Sequence, residues 1–274
     1  MTTTAAPRQT RRSPRVGAIW RGVAGVAGLA IILEIVSRSG IVDQKYLPPF
    51  SSVIVRAFTL WGDETFRADV GATLLTYLLG LLISIVIAVP LGALFGLFNP
   101  VYRAARALIE LMRPIPPVAL IPLVLLMLGN GLEMKLVIVV FAAVWPIMFN
   151  TLYGVHDVDP LAKDMARSFG IRGFGVIRRI VVPSAAPFII TGIRISSSIA
   201  LIVVITVELI AGGAQGIGAF ISREKGSYVD VGETYLSVLA ATIMAGIIGL
   251  AINLLIGWVE RRYFGWESTA RDGV

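Results

Sequence analysis

The chain of 274 residues offers few of the side chains on which catalysis or metal binding usually rests. It has no cysteine and one histidine, His156. Thiolate metal sites, disulfides and thiol nucleophiles are thereby removed. A single imidazole leaves little material for a zinc site or a nucleophile–base pair. His156 stands close to Asp157 and Asp159, which reads as a loop at a membrane surface with Asp157 opening a turn, rather than as a metal site. No Gly-Lys pair occurs anywhere, so no phosphate-cradling P-loop is present. We assign no catalytic residue, no metal ligand and no bound cofactor, and do not read the chain as an enzyme.

What remains is a set of polar groups set into apolar sequence, and such groups are functional suspects in a membrane. Arg194 begins the run Arg194-Ile195-Ser196-Ser197-Ser198, and Glu208 lies in TVELIAGG. Arg194 and Glu208 are 14 residues apart, about 21 Å along a helix, so they cannot pair directly. Glu208 reads either as a carboxylate reaching the outer interface or as a pathway or gate residue. Arg194 can snorkel to the inner end of its helix. The serines serve close helix packing or line a polar pathway. Asn253 suits an interhelical hydrogen bond, Glu110 and Arg113 can pair three residues apart, and Glu34 is expected to reach the outer interface. Arg194, Ser197, Ser198, Glu208 and Asn253 are the pathway candidates.

The elements that carry these residues can be placed from composition. Hydrophobic residues make up 56% of the chain and charged ones 15%, with a mean hydropathy of +0.83. A soluble domain carries about 25% charged residues, so most of this chain has lipid as its solvent. A membrane helix needs about 20 mostly apolar residues. We place six spans at about 18–36, 71–98, 104–128, 134–153, 187–211 and 235–259. The fold class expected is an all-α integral membrane protein. Residues 1–17 and 261–274 are expected to be polar tails, the first of them disordered. Between the first two spans, Pro48 and Pro49 break the chain, and Ser51 or Ser52 is placed to cap a short interfacial helix over 53–61. Pro114, Pro116, Pro117 and Pro122 all fall in the third span, predicting either a kinked packed helix or one lining a pathway.

The net charge of +7 is a topology signal rather than a nucleic-acid signal. Basic residues favour, by about two to one, the side that holds both tails, the second-to-third loop and the fourth-to-fifth loop, which makes that side cytoplasmic.

The longest internal cytoplasmic segment, 154–186, is patterned. Asp159-Pro160 is a helix start, with a capping carboxylate and a proline at the first helical position. Leu161, Met165 and Phe169 recur every fourth residue and share a face. Gly170 suits a left-handed helix stop. A second short helix is expected over 174–181, ending at Pro183. An amphipathic hairpin of this kind either docks against a partner or rests on the membrane surface.

This segment resembles the EAA loop of binding-protein-dependent ABC importer permeases. Asp164-Met165-Ala166, three residues, Gly170, nine residues, Ile180, one residue, Val182-Pro183 keeps that loop's spacing throughout. Asp164, Met165 and Val182 replace the usual Glu, Ala and Leu. The stretches LPPFSSV, MARSFGIRGFGVIRRIVVPSAAPFIITGIRI and VELIAGGAQGIGAFI resemble the subgroup importing aliphatic sulfonates, taurine, nitrate and pyrimidine precursors. The resemblance covers most of the chain after about Leu47 and implies a type I ABC importer permease fold with a cytoplasmic coupling-helix loop. It further implies that Asp164, Met165, Ala166, Arg167, Phe169, Gly170, Ile180 and Pro183 couple the chain to a separate ATP-binding subunit, present in two copies and holding ATP and Mg. It implies a second permease copy, with a homodimer expected, and an extracytoplasmic substrate-binding protein that delivers solute for inward translocation by alternating access. A small organic anion such as a sulfonate is the expected solute. Nitrate or a pyrimidine or aromatic compound is the alternative. An ion-driven secondary transporter would share the spans and the proline-broken helix but would not require the EAA spacing.

Overall fold

The computed structural model describes residues 15–225 and 231–263, and every regular element among them is helical. Most of both expected tails lies outside the described residues. Helix α1 is Arg15–Arg38, α2 Phe50–Gly62, α3 Glu64–Leu97, α4 Asn99–Met112, α5 Ile121–Leu128, α6 Leu132–His156, α7 Pro160–Ser168, α8 Phe174–Val176, α9 Val182–Ala211, α10 Ile217–Lys225 and α11 Val231–Tyr263. Among the described residues five helical stretches are long and apolar enough to cross a membrane, Trp20–Arg38, Glu64–Leu97, Leu132–His156, Phe174–Ala211 and Val231–Arg262, and a sixth if the bent pair Asn99–Met112 and Pro117–Leu128 is one span.

The third span departs from expectation. Over 104–128 the chain is not one helix but two, Asn99–Met112 and Pro117–Leu128, bent by 79°. The prolines supply the reason. Pro116 cannot donate to a helix, and the Pro117 ring drives it to the extended backbone at φ −66°, ψ 123°, as a residue before proline is driven. The chain restarts with Pro117 and then Pro122 in first turns, where the missing N–H costs nothing.

The joint before α9 differs too. The short helix from Phe174 does not stop at Pro183. It widens into a π turn over Ile177–Val181, where the Val182 N–H reaches back five residues to the Ile177 carbonyl. That change of register lets the helix continue past Pro183, which sits in the first turn of α9.

The centre of the molecule is the trio α3, α6 and α9, whose inward residues include Tyr77, Ala88, Ile138, Ala143, Ile147 and Val204. Lipid offers helices little hydrophobic reason to associate, so close backbone approach matters more than in water. At Gly192 of α9 a Cβ would stand 3.0 Å from the Cα of Ile147, and only glycine admits that approach. Leu75, Leu78, Leu82 and Val86 of α3 face outward, as expected where the solvent is hydrocarbon. Helices α2, α10 and α11 form a second cluster around Val53, Phe66, Phe220 and Ala241. Helix α1 lies at the periphery, tied to the segment before α2 by Ser37 Oγ, which donates to the Leu47 carbonyl at 2.7 Å. Ser51 does not cap α2. It donates from its N–H and its hydroxyl to Glu34.

Candidate coupling and pathway sites

The segment 154–186 is assembled almost entirely from local signals. The Asp159 carboxylate accepts the Leu161 N–H at 2.8 Å and starts α7. At the other end Gly170 has φ +79°. Its N–H reaches the Arg167 carbonyl and the Ile171 N–H reaches the Ala166 carbonyl, both at 3.0 Å, which closes the helix with a Schellman pair. Ala166 is buried, whereas Leu161, Met165 and Phe169 are 65%, 54% and 81% exposed. Asp164 and Arg167 form an exposed ion pair at 3.0 Å, a surface contact of little energetic weight. Beneath α7 lies a small core of Val155, Val158, Val176, Val181 and Ala185, with Ile171 and Ile180 against it. Pro183 instead lines a cleft of about 520 Å³ with Gly154, Asp157, Asp159 and Phe188. The predicted coupling residues therefore divide into an exposed apolar face with a flanking ion pair, and a set that seats it.

Of the five pathway candidates the structure brings four together. Ser197, Ser198 and Asn253 line a cleft of about 480 Å³ between α9 and α11. Arg194 donates from Nε to Asn253 Oδ1 and from Nη1 to Glu260 Oε2, both at 3.1 Å. Asn253 thus makes an interhelical bond, and Arg194 is held by α11 rather than reaching freely to an interface. Ser197 shares a 2.6 Å hydrogen bond with the Tyr77 hydroxyl, and the neighbouring Ser196 donates to the Ala143 carbonyl.

Glu208 stands apart. It is completely buried instead of reaching the outer interface. One carboxylate oxygen accepts from Thr73 Oγ1 at 2.8 Å and from the Gly218 N–H at 3.2 Å. The other lies 3.3 Å from Lys135 Nζ. Lys135 also donates to the Gln215 carbonyl at 3.0 Å. Beside this pair, Asp69 accepts the Gly216 N–H and is bridged to Arg223, and Thr73 accepts the Ile217 N–H. Charges and hydroxyls from α3, α6, α9 and α10 hold the loop 212–216 in place. Gly216 has φ +137°, and a Cβ there would fall on the Glu208 carboxylate.

Sequence patterning marks Glu208 as a suspect, but in it Asp69, Lys135 and Arg223 read as topology charges in outer loops and Thr73 does not stand out. An available signal is the coincidence of acids and bases flanking a glycine-rich stretch. One smaller expectation is also corrected. Glu110 pairs with Arg106 at 2.6 Å, four residues away, not with Arg113. Helix α4 ends at Met112, and the Arg113 guanidinium lies 4.7 Å over the Phe149 ring. Glu34 pairs with Arg38 and accepts from Ser51. No group of three or more potential metal ligands occurs among the described residues.

The structure is thus an exposed, capped helix on a short polar loop, set at one end of a bundle of apolar helices with a proline-broken span. Residues 80–265 match the family model described as the binding-protein-dependent transport system inner membrane component. The chain belongs to that family, the permeases of binding-protein-dependent ABC importers. It is 35% identical over 191 residues, 69% of each chain, to a putative ABC transporter permease of Methanocaldococcus jannaschii. It is 28% identical over 251 residues, 89% of each chain, to the taurine transport system permease protein of Escherichia coli K12. Its fold is that of the inward-facing MetNI methionine ABC transporter, with a TM-score of 0.51 at 20% identity over 70% of this chain and 95% of the other. This is the type I ABC importer permease fold.

Proposed function

We propose that the chain is the membrane-spanning subunit of an importer that moves a small organic anion, a sulfonate first among them, into the cell. Both termini lie on the cytoplasmic side. Two copies of the chain, two ATP-binding subunits that hold ATP and Mg, and an extracytoplasmic binding protein make the working transporter.

The observation that carries this reading is the face Leu161–Met165–Phe169. Three large apolar side chains on a nine-residue helix stand exposed, while the helix is capped at both ends and seated through Ala166. A rigid apolar ridge of this kind fits the groove of a partner subunit, with Asp164 and Arg167 at its flank. Closure of the ATPase pair on ATP pushes this ridge, and the push passes through Ile180 and the π turn into α9, because α7 packs on α8 and the π turn, which share a small core with α9. The cleft between α9 and α11, with Arg194 beside it at Asn253, supports an anionic cargo, as does the likeness to the taurine permease.

Affinity purification of the tagged chain from its own membranes, followed by mass spectrometry, tests the assignment. Recovery of a P-loop subunit that disappears when Met165 and Phe169 are both changed to Asp, with the chain still inserted, is the expected result. Repeated recovery of the intact chain without any ATPase, with transport continuing in ATP-depleted vesicles under an ion gradient, contradicts it. Growth of a deletion strain on sulfur and nitrogen sources tests the cargo: failure on a sulfonate is expected, and normal growth on all sulfonates with failure on nitrate or a pyrimidine reassigns it.

A further inference from the structure

On α11, Asn253, Gly257 and Arg261 recur every fourth residue and so share one face. That face carries the partner of Arg194, for Asn253 accepts from its Nε. Gly257 contributes no side chain. At the point where its Cβ would stand, the closest atoms are Arg194 Nη2 and Arg261 Nη1, each 3.6 Å away. Two guanidinium groups from different helices therefore converge on one recess about the width of a methyl group. Arg194 has its Nε and Nη1 engaged by Asn253 and Glu260, and Nη2 makes no hydrogen bond among the described residues. Arg261 carries no ion pair among them either. Glu260 is the single carboxylate paired at this point among the described residues.

Two guanidinium groups flanking one point both attract an anion placed there. Guanidinium groups present planar forks of donors that match oxyanions, and glycine at 257 leaves an oxygen room to approach both. Asn253 also lines the cleft that contains Ser197 and Ser198, so the recess adjoins that cleft at Asn253.

We infer that Arg194 and Arg261, converging over Gly257, form a binding site for a monovalent oxyanion of the sulfonate class beside the α9–α11 cleft. Glu260 acts as the internal competitor: it holds Arg194 when the site is empty and yields it when the anion arrives. The identification of that anion as cargo rests on the importer reading above, whereas the site itself does not. The same chemistry is offered by a phospholipid phosphate, and the experiment separates the two.

The full-length chain is placed in phosphatidylcholine nanodiscs and titrated with trifluoromethanesulfonate, with binding read from the fluorine NMR line width. Binding is expected, and Arg194→Gln or Arg261→Gln weakens it about tenfold, the loss of one charge-assisted hydrogen bond. Gly257→Ala favours the helix yet weakens binding, because its methyl occupies the recess. Glu260→Gln tightens binding. A merely structural Arg194–Glu260 pair would make Arg194→Gln and Glu260→Gln act in the same direction. No binding in phosphatidylcholine, equal binding by the arginine variants, or weaker binding by Glu260→Gln overturns the site. Loss of binding in phosphatidylglycerol nanodiscs, with co-purifying phosphatidylglycerol lost from Arg194→Gln, keeps the oxyanion site and overturns the cargo assignment. Recovery of the ATPase without sulfonate binding rejects this site and leaves the importer standing; sulfonate binding without an ATPase does the reverse.

Discussion

The two polar regions at the ends of α9 are built on opposite plans. Around Glu208 the acids are buried and each has a basic partner: the buried Lys135 for Glu208, and the more exposed Arg223 for Asp69. The contacts join residues as far apart as Asp69 and Arg223 and close over a glycine-rich loop. Around α7 the charges are exposed, the hydrogen bonds run between near neighbours, and the prominent feature is an exposed apolar ridge. One region holds the protein's own helices together; the other, under the function proposed above, meets a second chain. Burial with complete pairing suits a structural role, and a capped, exposed apolar face suits the proposed docking role.

The largest effect that sharpens this contrast is expected at the buried pair. Lys135→Met leaves the Glu208 carboxylate buried and uncompensated, a loss of about 3–5 kcal/mol. A steep fall in the thermal unfolding temperature in detergent checks it. Adding Glu208→Gln to that variant should restore much of the loss, since the uncompensated charge is then gone; additive losses in the double variant would show that the two side chains do not act as a pair. Next comes Gly216→Ala, which sets a Cβ against the Glu208 carboxylate at a φ that disfavours side chains, a cost of about 1–3 kcal/mol read from the same melts.

At α7 the effects are smaller in stability and fall on association. Phe169→Asp should leave the melting temperature nearly unchanged while lowering recovery of the ATP-binding subunit by more than about tenfold, or about 1.4 kcal/mol. A large drop in melting temperature with normal recovery would reverse the roles of the two regions. Gly170→Ala meets open space, so its cost is conformational alone, about 1 kcal/mol at φ +79°, seen as a modest loss of coupled ATPase activity. Asp159→Ala removes a cap worth about 1 kcal/mol and should act in the same direction, with hydrogen exchange of the Leu161 amide as its readout.

The coupling region was largely legible from the chain. Asp159-Pro160, the four-residue spacing of Leu161, Met165 and Phe169, and Gly170 each act within one or two helical turns. Local rules of capping, periodicity and left-handed glycine therefore suffice to foresee α7. The sharp break in the third span was half legible: the prolines announced a disruption, but not that it would part the span into two helices bent by 79°. Pro183 misled, because proline next to a helix end reads as a stop, and only a wider hydrogen-bonded turn, supported by the core under α7, carries the helix past it.

The clamp around Glu208 was not legible in the same way. Asp69, Thr73, Lys135, Glu208 and Arg223 are separated by up to 154 positions, and nothing local distinguishes a lysine that marks topology from one that neutralises a buried glutamate. The same holds for Arg194, Gly257 and Arg261, whose convergence exists only because α9 and α11 lie side by side. Apolar runs, the caps of α7 and the spacing of its loop are properties of neighbouring residues, and the chain alone settles them, whereas the Ser51 cap and the stop at Pro183 were overruled by contacts from other elements. Which polar groups meet across helices depends on distances and dielectric surroundings created by packing, and those exist only in the folded molecule.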